Sequence, residues 1–177
     1  MTDLQKLQAA VRLPSADDAL AAFKAVDGVN ARYENKYDNI LHYIITAFES
    51  EKLRASDFEA LIDLGVDVNT KDKGGQRPLH YTALFPNFAL AKILIKHGAD
   101  IHAEDNYGNT PLWTAVKNYL GEKDLLDLII LLLEKGADLD KKNHYDRSSR
   151  NMIEDRKAGI TIGNPKSDLS EALKAYL

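Results

Sequence analysis

The sequence has no cysteine, one tryptophan, two methionines and five prolines in 177 residues. Without cysteine there is no disulfide framework, no thiol nucleophile and no thiolate-held zinc or iron–sulfur centre. No apolar run approaches the roughly 20 residues that cross a bilayer; the longest, Leu125 to Leu133, is interrupted by Asp127. The N-terminus, Met1-Thr2-Asp3-Leu4-Gln5-Lys6, lacks a basic segment followed by an apolar one, so no signal peptide is expected. A cytoplasmic protein with no membrane partner follows as the expectation. Charge of one sign is also scarce: 23 basic residues face 27 acidic ones, a net of −4. Residues 1–70 hold 7 basic and 12 acidic side chains, whereas residues 141–177 hold 8 and 5. That gradient lacks the concentrated basic stripe that nucleic acid demands, so no nucleic-acid partner is expected. What remains is 45% hydrophobic and 28% charged residues, the mix of a soluble domain that buries roughly 70% of its surface on folding.

The chain repeats itself. Gly65-Val66-Asp67-Val68-Asn69 returns as Gly98-Ala99-Asp100-Ile101-His102 after 33 residues, and as Gly136-Ala137-Asp138-Leu139-Asp140 after a further 38. A weaker copy is Asp27-Gly28-Val29-Asn30. A second element, Gly75-Gln76-Arg77-Pro78-Leu79-His80, aligns with Gly108-Asn109-Thr110-Pro111-Leu112-Trp113, and a degenerate copy, Asp38-Asn39-Ile40-Leu41-His42, precedes both. Each unit has a local physical logic. Pro78 and Pro111 suit the first helical turn, where proline's missing N–H costs nothing, and Thr110 is a natural N-cap. Apolar residues at helical spacing follow in Leu112–Val116 and again in Leu125–Leu133, and Gly136 fits a C′ terminator. Lys71–Gly75 and Glu104–Gly108 read as tight turns. Neither helix of a unit can bury its apolar stripe alone, so neighbouring units must stack.

This pattern, Asp105-x-x-Gly108-x-Thr110-Pro111-Leu112 followed by Leu131-Leu132-x-x-x-Gly136-Ala137-Asp138, resembles the ankyrin repeat. So does Asp72 to Asp100, with Arg77 in place of threonine and Thr82 in place of alanine. The tetratricopeptide repeat, similar in period, lacks both the Pro-Leu-His start and the Gly-Ala-Asp stop. The resemblance is carried by residues 34–142 and implies an all-α solenoid of five units: 1–33, 34–71, 72–104, 105–142 and 143–177. The end units depart from the pattern as caps do. Leu4–Val11 and Ala16–Val26 read as helices broken by Pro14, the second opened by Ser15-x-x-Asp18. Asn143–Arg147 keeps the turn while Arg150 and Asn151 replace Leu-His. After Asn164-Pro165, Asp168-x-x-Glu171 opens a last helix, and Ala158–Gly163 is left unassigned. From the Leu of the helix start to the closing Gly is 19 positions in the 72–104 unit and 24 in both neighbours. The extra residues fall near Phe48–Lys52 and Tyr119–Lys123, on one side of the stack, and serve either as a binding edge or as mere helix extensions.

Nothing in the spacing supports catalysis. The resemblance implies that His42 and His80 tie neighbouring turns by hydrogen bonds. His97 and His102 lie five apart across a helix end, which is no ligand spacing, and His144 lies alone in a turn. Glu49, Glu51, Asp57 and Glu59 read as a solvated helix face. Lys73-Gly74-Gly75 lacks the downstream Lys-Ser/Thr of a phosphate loop, and Ser148-Ser149 has no His/Asp partners at motif spacing. No cofactor and no metal are expected, and the protein is read as no enzyme.

The resemblance implies that a partner protein engages the turn tips and the first helix of each unit. Carried over by position, the protein-binding candidates are Gln76, Phe85, Asn106, Tyr107, Asn109, Lys117, Tyr119, Tyr145 and Arg147. Thr46, Ala47, Leu84 and Asn118 also face the groove. Tyr107 and Tyr145 stand 38 apart at equivalent places and, with Arg147, supply the side chains that dominate binding hot spots. For Trp113, the indole N–H is expected to replace the imidazole donor between units, with exposure to a partner as the rival role. The chain is expected to be a stand-alone binder, monomeric when free. Its style resembles small bacterial ankyrin proteins, some of which are immunity proteins, so occlusion of a cognate toxin is the concrete functional expectation. The alternatives are an adaptor bridging cellular proteins and, further off, an enzyme-associated or nucleic-acid-associated role.

Overall fold

The computed structural model describes residues 5–6, 9–10, 18, 21–22, 24–25, 39–47, 55–158 and 169–177. Within them are eight helices and no strand: α1 (Ile40–Ala47), α2 (Ala55–Asp63), α3 (Pro78–Leu84), α4 (Phe88–Lys96), α5 (Pro111–Asn118), α6 (Lys123–Glu134), α7 (Ser149–Lys157) and α8 (Leu169–Ala172). The helices form two layers. First helices pack in the order α1–α3–α5–α7 and second helices in the order α2–α4–α6, while α3 with α4 and α5 with α6 close the hairpins. The all-α stacked architecture anticipated from the repeats is the observed one.

The helix starts follow from their residues. Pro78 and Pro111 occupy the first turns of α3 and α5, and Thr110 Oγ1 accepts from Trp113 N. Ser148 caps α7 by accepting from Asn151 N, and the Asn151 side chain accepts in return from Ser148 N. Asn87 caps α4 by accepting from Leu90 N at 3.0 Å. The helix ends turn on glycine: Gly65, Gly98 and Gly136 have φ of +93°, +84° and +92°, conformations that residues with a Cβ rarely adopt.

One continuous apolar core runs between the layers, from Ile40, Leu41 and Phe58 through Leu79, Leu90 and Leu94 to Leu112, Leu128, Leu132 and Ile153. Each member is contributed by a unit that touches only its neighbours, the condition under which stability is a sum of interfaces. Leu169 and Leu173 extend the core beyond α7, in agreement with the last helix expected from Asp168-x-x-Glu171. The expected insertion at Tyr119–Lys123 forms the loop between α5 and α6 (residues 119–122) and the first residue of α6; the one at Phe48–Lys52 lies outside the described residues, as do Pro14, Ser15 and Gly28. Of the two expected N-terminal helices, residues 5–6, 9–10, 18, 21–22 and 24 are helical.

Candidate functional site

Three turns stand in register at one edge of the stack. In each, an Asx residue closes the loop on itself. Asp72 N donates to Gln76 O at 2.9 Å and Asp105 N to Asn109 O at 3.0 Å; Asn143 N donates to Arg147 O at 2.9 Å. The side-chain oxygens of the same residues accept from inside the turn. Asp72 Oδ1 takes Gln76 N, Asp105 Oδ1 takes Tyr107 N and Asn109 N, and Asn143 Oδ1 takes Tyr145 N and Arg147 N. Gly75 and Gly108 supply positive φ, and Asp146, with φ +58°, does so in the third turn, where an Asp tolerates the left-handed region better than most residues.

The turns are bonded to one another. Asn106 N donates to Gly74 O and His144 N to Tyr107 O, both at 2.9 Å, and Asn106 Nδ2 donates to Lys73 O. Asn143 Nδ2 donates to Asn109 Oδ1 at 2.7 Å. Below them the histidines act as expected. His42 Nε2 donates to Gln76 O, and His80 Nε2 to Asn109 O, each at 3.1 Å. His80 Nδ1 accepts from Arg77 N, which fixes the neutral tautomer. Burial pushes the His80 pKa down, opposed by its bond to the Asn109 carbonyl and by Asp105.

On this ladder Tyr107 and Tyr145 project together. Their rings stack with centroids 6.4 Å apart and an interplanar angle of 27°, yet they remain 54% and 68% exposed. Arg147 lies beside them, ion-paired to Asp155 of α7, and Asn106 is exposed on the preceding turn. Phe85, 46% exposed, ends α3 and stacks on Tyr81 at 6.3 Å. Lys117 is exposed on α5, with its ammonium 5.2 Å from the Trp113 ring centroid. Gln76 is half-buried and meets its neighbours through its backbone.

Two candidates expected at the surface, Asn109 at a turn tip and Tyr119 in the inter-helix insertion, are buried. Asn109 is only 8% exposed, because its side chain bridges Asp105 and Asn143. Tyr119 is buried where the α5–α6 loop folds inward, and that burial, with Glu122 nearby, raises its hydroxyl pKa. Both shape the surface from beneath. Trp113 does not take over the imidazole bond: its Nε1 is buried with no hydrogen-bond partner among the described residues. Arg156, which the sequence reading passed over, donates from Nη2 to Lys117 O at 2.9 Å. Extending the repeat register into the last unit would have found it, since Asp155-Arg156 stands where Lys117-Asn118 and Leu84-Phe85 stand.

Groups suited to chemistry are scattered. Among the described residues no three His, Asp or Glu side chains gather as a metal site. His97 contacts Glu59 at 3.1 Å, and Glu59 also pairs with Lys96 at 2.7 Å, a surface cluster joining α2 to the end of α4. A cleft of about 200 Å³ is lined by Ile101, His102, Glu104, Asp138 and Lys141 among others. Its Glu104 and Lys141 are ion-paired.

A family profile described as ankyrin repeats, in three copies, matches residues 41–143. Relatives include an ankyrin repeat and LEM domain-containing protein 1 homolog of Caenorhabditis elegans, 34% identical over 80 residues, which are 45% of this chain and 11% of that protein. The human transient receptor potential cation channel subfamily A member 1 is 32% identical over 114 residues, 64% of this chain and 10% of the channel. The potassium channel GORK of Arabidopsis thaliana is 36% identical over 75 residues, 42% of this chain and 9% of that protein. The chain therefore spans about a tenth of the length of these relatives.

Proposed function

Because the chain belongs to the ankyrin-repeat family, whose repeats are protein-interaction modules, we propose that it is a non-catalytic binder that holds a partner against its turn tips and the adjoining ends of its first helices. The observation that carries this reading is the Tyr107–Tyr145 pair. Two large amphipathic rings are stacked in advance on hydrogen-bonded turns, so little side-chain entropy remains to be lost on binding. Asn106 and Arg147 flank them with donors, and Phe85 and Lys117 extend the surface along the first helices.

In its most concrete form the reading is a bacterial, cytoplasmic immunity protein, monomeric when free, that occludes the cleft of a cognate toxin. The acidic excess of residues 1–70 supports electrostatic attraction of a basic partner. The test is purification of the partner on immobilised protein, followed by affinity measurement with the Tyr107→Ala/Tyr145→Ala double variant. Loss of more than about 2 kcal/mol, some thirtyfold in Kd, is expected for a hot spot. Unchanged affinity in a folded double variant refutes the turn-tip site. A partner whose activity survives saturation by the binder replaces occlusion with the adaptor role.

A further inference from the structure

The ends of α3, α5 and α7 present the same two repeat positions in a row: Leu84-Phe85, Lys117-Asn118 and Asp155-Arg156. Since α3 packs on α5 and α5 on α7, the three pairs are neighbours. The row is chemically graded. At the α3 end Leu84 and Phe85 are both exposed, and Leu120, just beyond α5, is exposed as well. At the other end are two cations. Lys117 lies over Trp113, and Arg156 donates through Nη2 to the Lys117 carbonyl, its Nη1 lying buried with no acceptor among the described residues.

Several other surface cations are ion-paired. Arg147 pairs with Asp155, Arg150 with Asp140, Lys141 with Glu104 and Lys123 with Asp127. Among the described residues, no carboxylate lies within 4.0 Å of the Lys117 ammonium or the Arg156 guanidinium. The one carboxylate in the row, Asp155, is already taken by Arg147. Partial burial of Arg156 disfavours its charged form, so an incoming carboxylate meets a cation that water screens less well than usual.

We propose that this row is a docking groove for an extended segment of a partner protein carrying an apolar anchor and an acidic side chain. The proposal rests on the protein-binding reading above and specifies the partner's chemistry. The apolar anchor covers Leu84 and Phe85, and the carboxylate bridges Lys117 and Arg156. Because Arg156 Nη2 reaches the Lys117 carbonyl at 2.9 Å, both cations stand at the end of α5, one helix spacing of about 8–10 Å from α3. An extended chain rising about 3.3 Å per residue crosses that distance in about three residues.

The experiment pans a library of random twelve-residue peptides on the immobilised chain and measures synthetic copies of the enriched peptides in solution. Trp113, the only tryptophan, reports binding from beside Lys117. The expected peptides carry Leu, Ile or Phe about three residues from Asp or Glu. Their affinity falls at least about tenfold, equivalent to 1.4 kcal/mol, in Lys117→Glu and falls likewise in Arg156→Gln. Replacing the peptide's acidic residue by lysine restores binding to Lys117→Glu, which separates a lost contact from a lost fold. The Tyr107→Ala/Tyr145→Ala variant binds the peptides as the wild type does, so this test succeeds or fails independently of the turn-tip site. No enrichment, enrichment of basic peptides, or affinity indifferent to Lys117→Glu overturns the proposal.

Discussion

Gly75→Ala and Gly98→Ala form a matched pair that isolates the bonding between turns. The two glycines have nearly the same backbone, φ +78° and +84°, so an added Cβ meets the same torsional penalty, about 1–2 kcal/mol for a left-handed residue. Their surroundings differ. A Cβ on Gly98 meets nothing within 4 Å, whereas one on Gly75 lies 2.7 Å from the backbone nitrogen of Asn106. That nitrogen cannot retreat as a side chain would, so the second turn must shift away from the first. Two hydrogen bonds stand in the path of the shift, Asn106 N to Gly74 O and Asn106 Nδ2 to Lys73 O. At about 0.5–1.5 kcal/mol net for each, their loss adds about 1–3 kcal/mol. Gly98→Ala should therefore cost about 1–2 kcal/mol and Gly75→Ala about 2–5 kcal/mol. Urea titration followed by far-ultraviolet circular dichroism measures both, with the m-value checking that the transition stays comparable. Equal midpoints for the two variants refute the claim that turn-to-turn contact stabilises the stack.

His80 should give the fold a pH dependence. Its folded pKa is lowered by burial, so between that value and the unfolded one near 6.5 the unfolded chain binds the extra proton. Stability is then full above about pH 6.5 and declines as the pH falls below it. Urea midpoints from pH 7 to pH 5 should fall less steeply in His80→Asn than in the wild type; identical slopes contradict the assignment. Trp113→Phe should change stability by less than about 1 kcal/mol, because the Nε1 donor it removes has no partner to lose. A larger loss in thermal or urea unfolding would show that the indole N–H is bonded after all.

The architecture was legible because the central units repeat the same punctuation. Pro78 and Pro111 open helices and Gly98 and Gly136 end them, with the local physics visible in single residues. The histidine bonds were legible for the same reason, since His42 and His80 occupy one repeated position. Legibility stopped where a position's environment depends on the neighbouring unit. Asn109 looks like a tip residue until Asn143, 34 positions on, supplies the donor that draws its side chain inward. Tyr119 follows a helix end and looks exposed; only the course of the following loop buries it. Trp113 occupies the histidine position, but its donor meets no partner among the described residues. Arg156 was missed because α7 lacks the Pro-Leu start that marks the register elsewhere.

The central claim is that a partner is held at the turn tips and first-helix ends. Hydrogen–deuterium exchange of the chain with and without its purified partner tests it most directly. The account predicts added protection at residues 106–109 and 144–147 and at the ends of α3 and α5, with the second helices α4 and α6 unchanged. Protection confined to α4 and α6, with the tips exchanging as in the free protein, would contradict it.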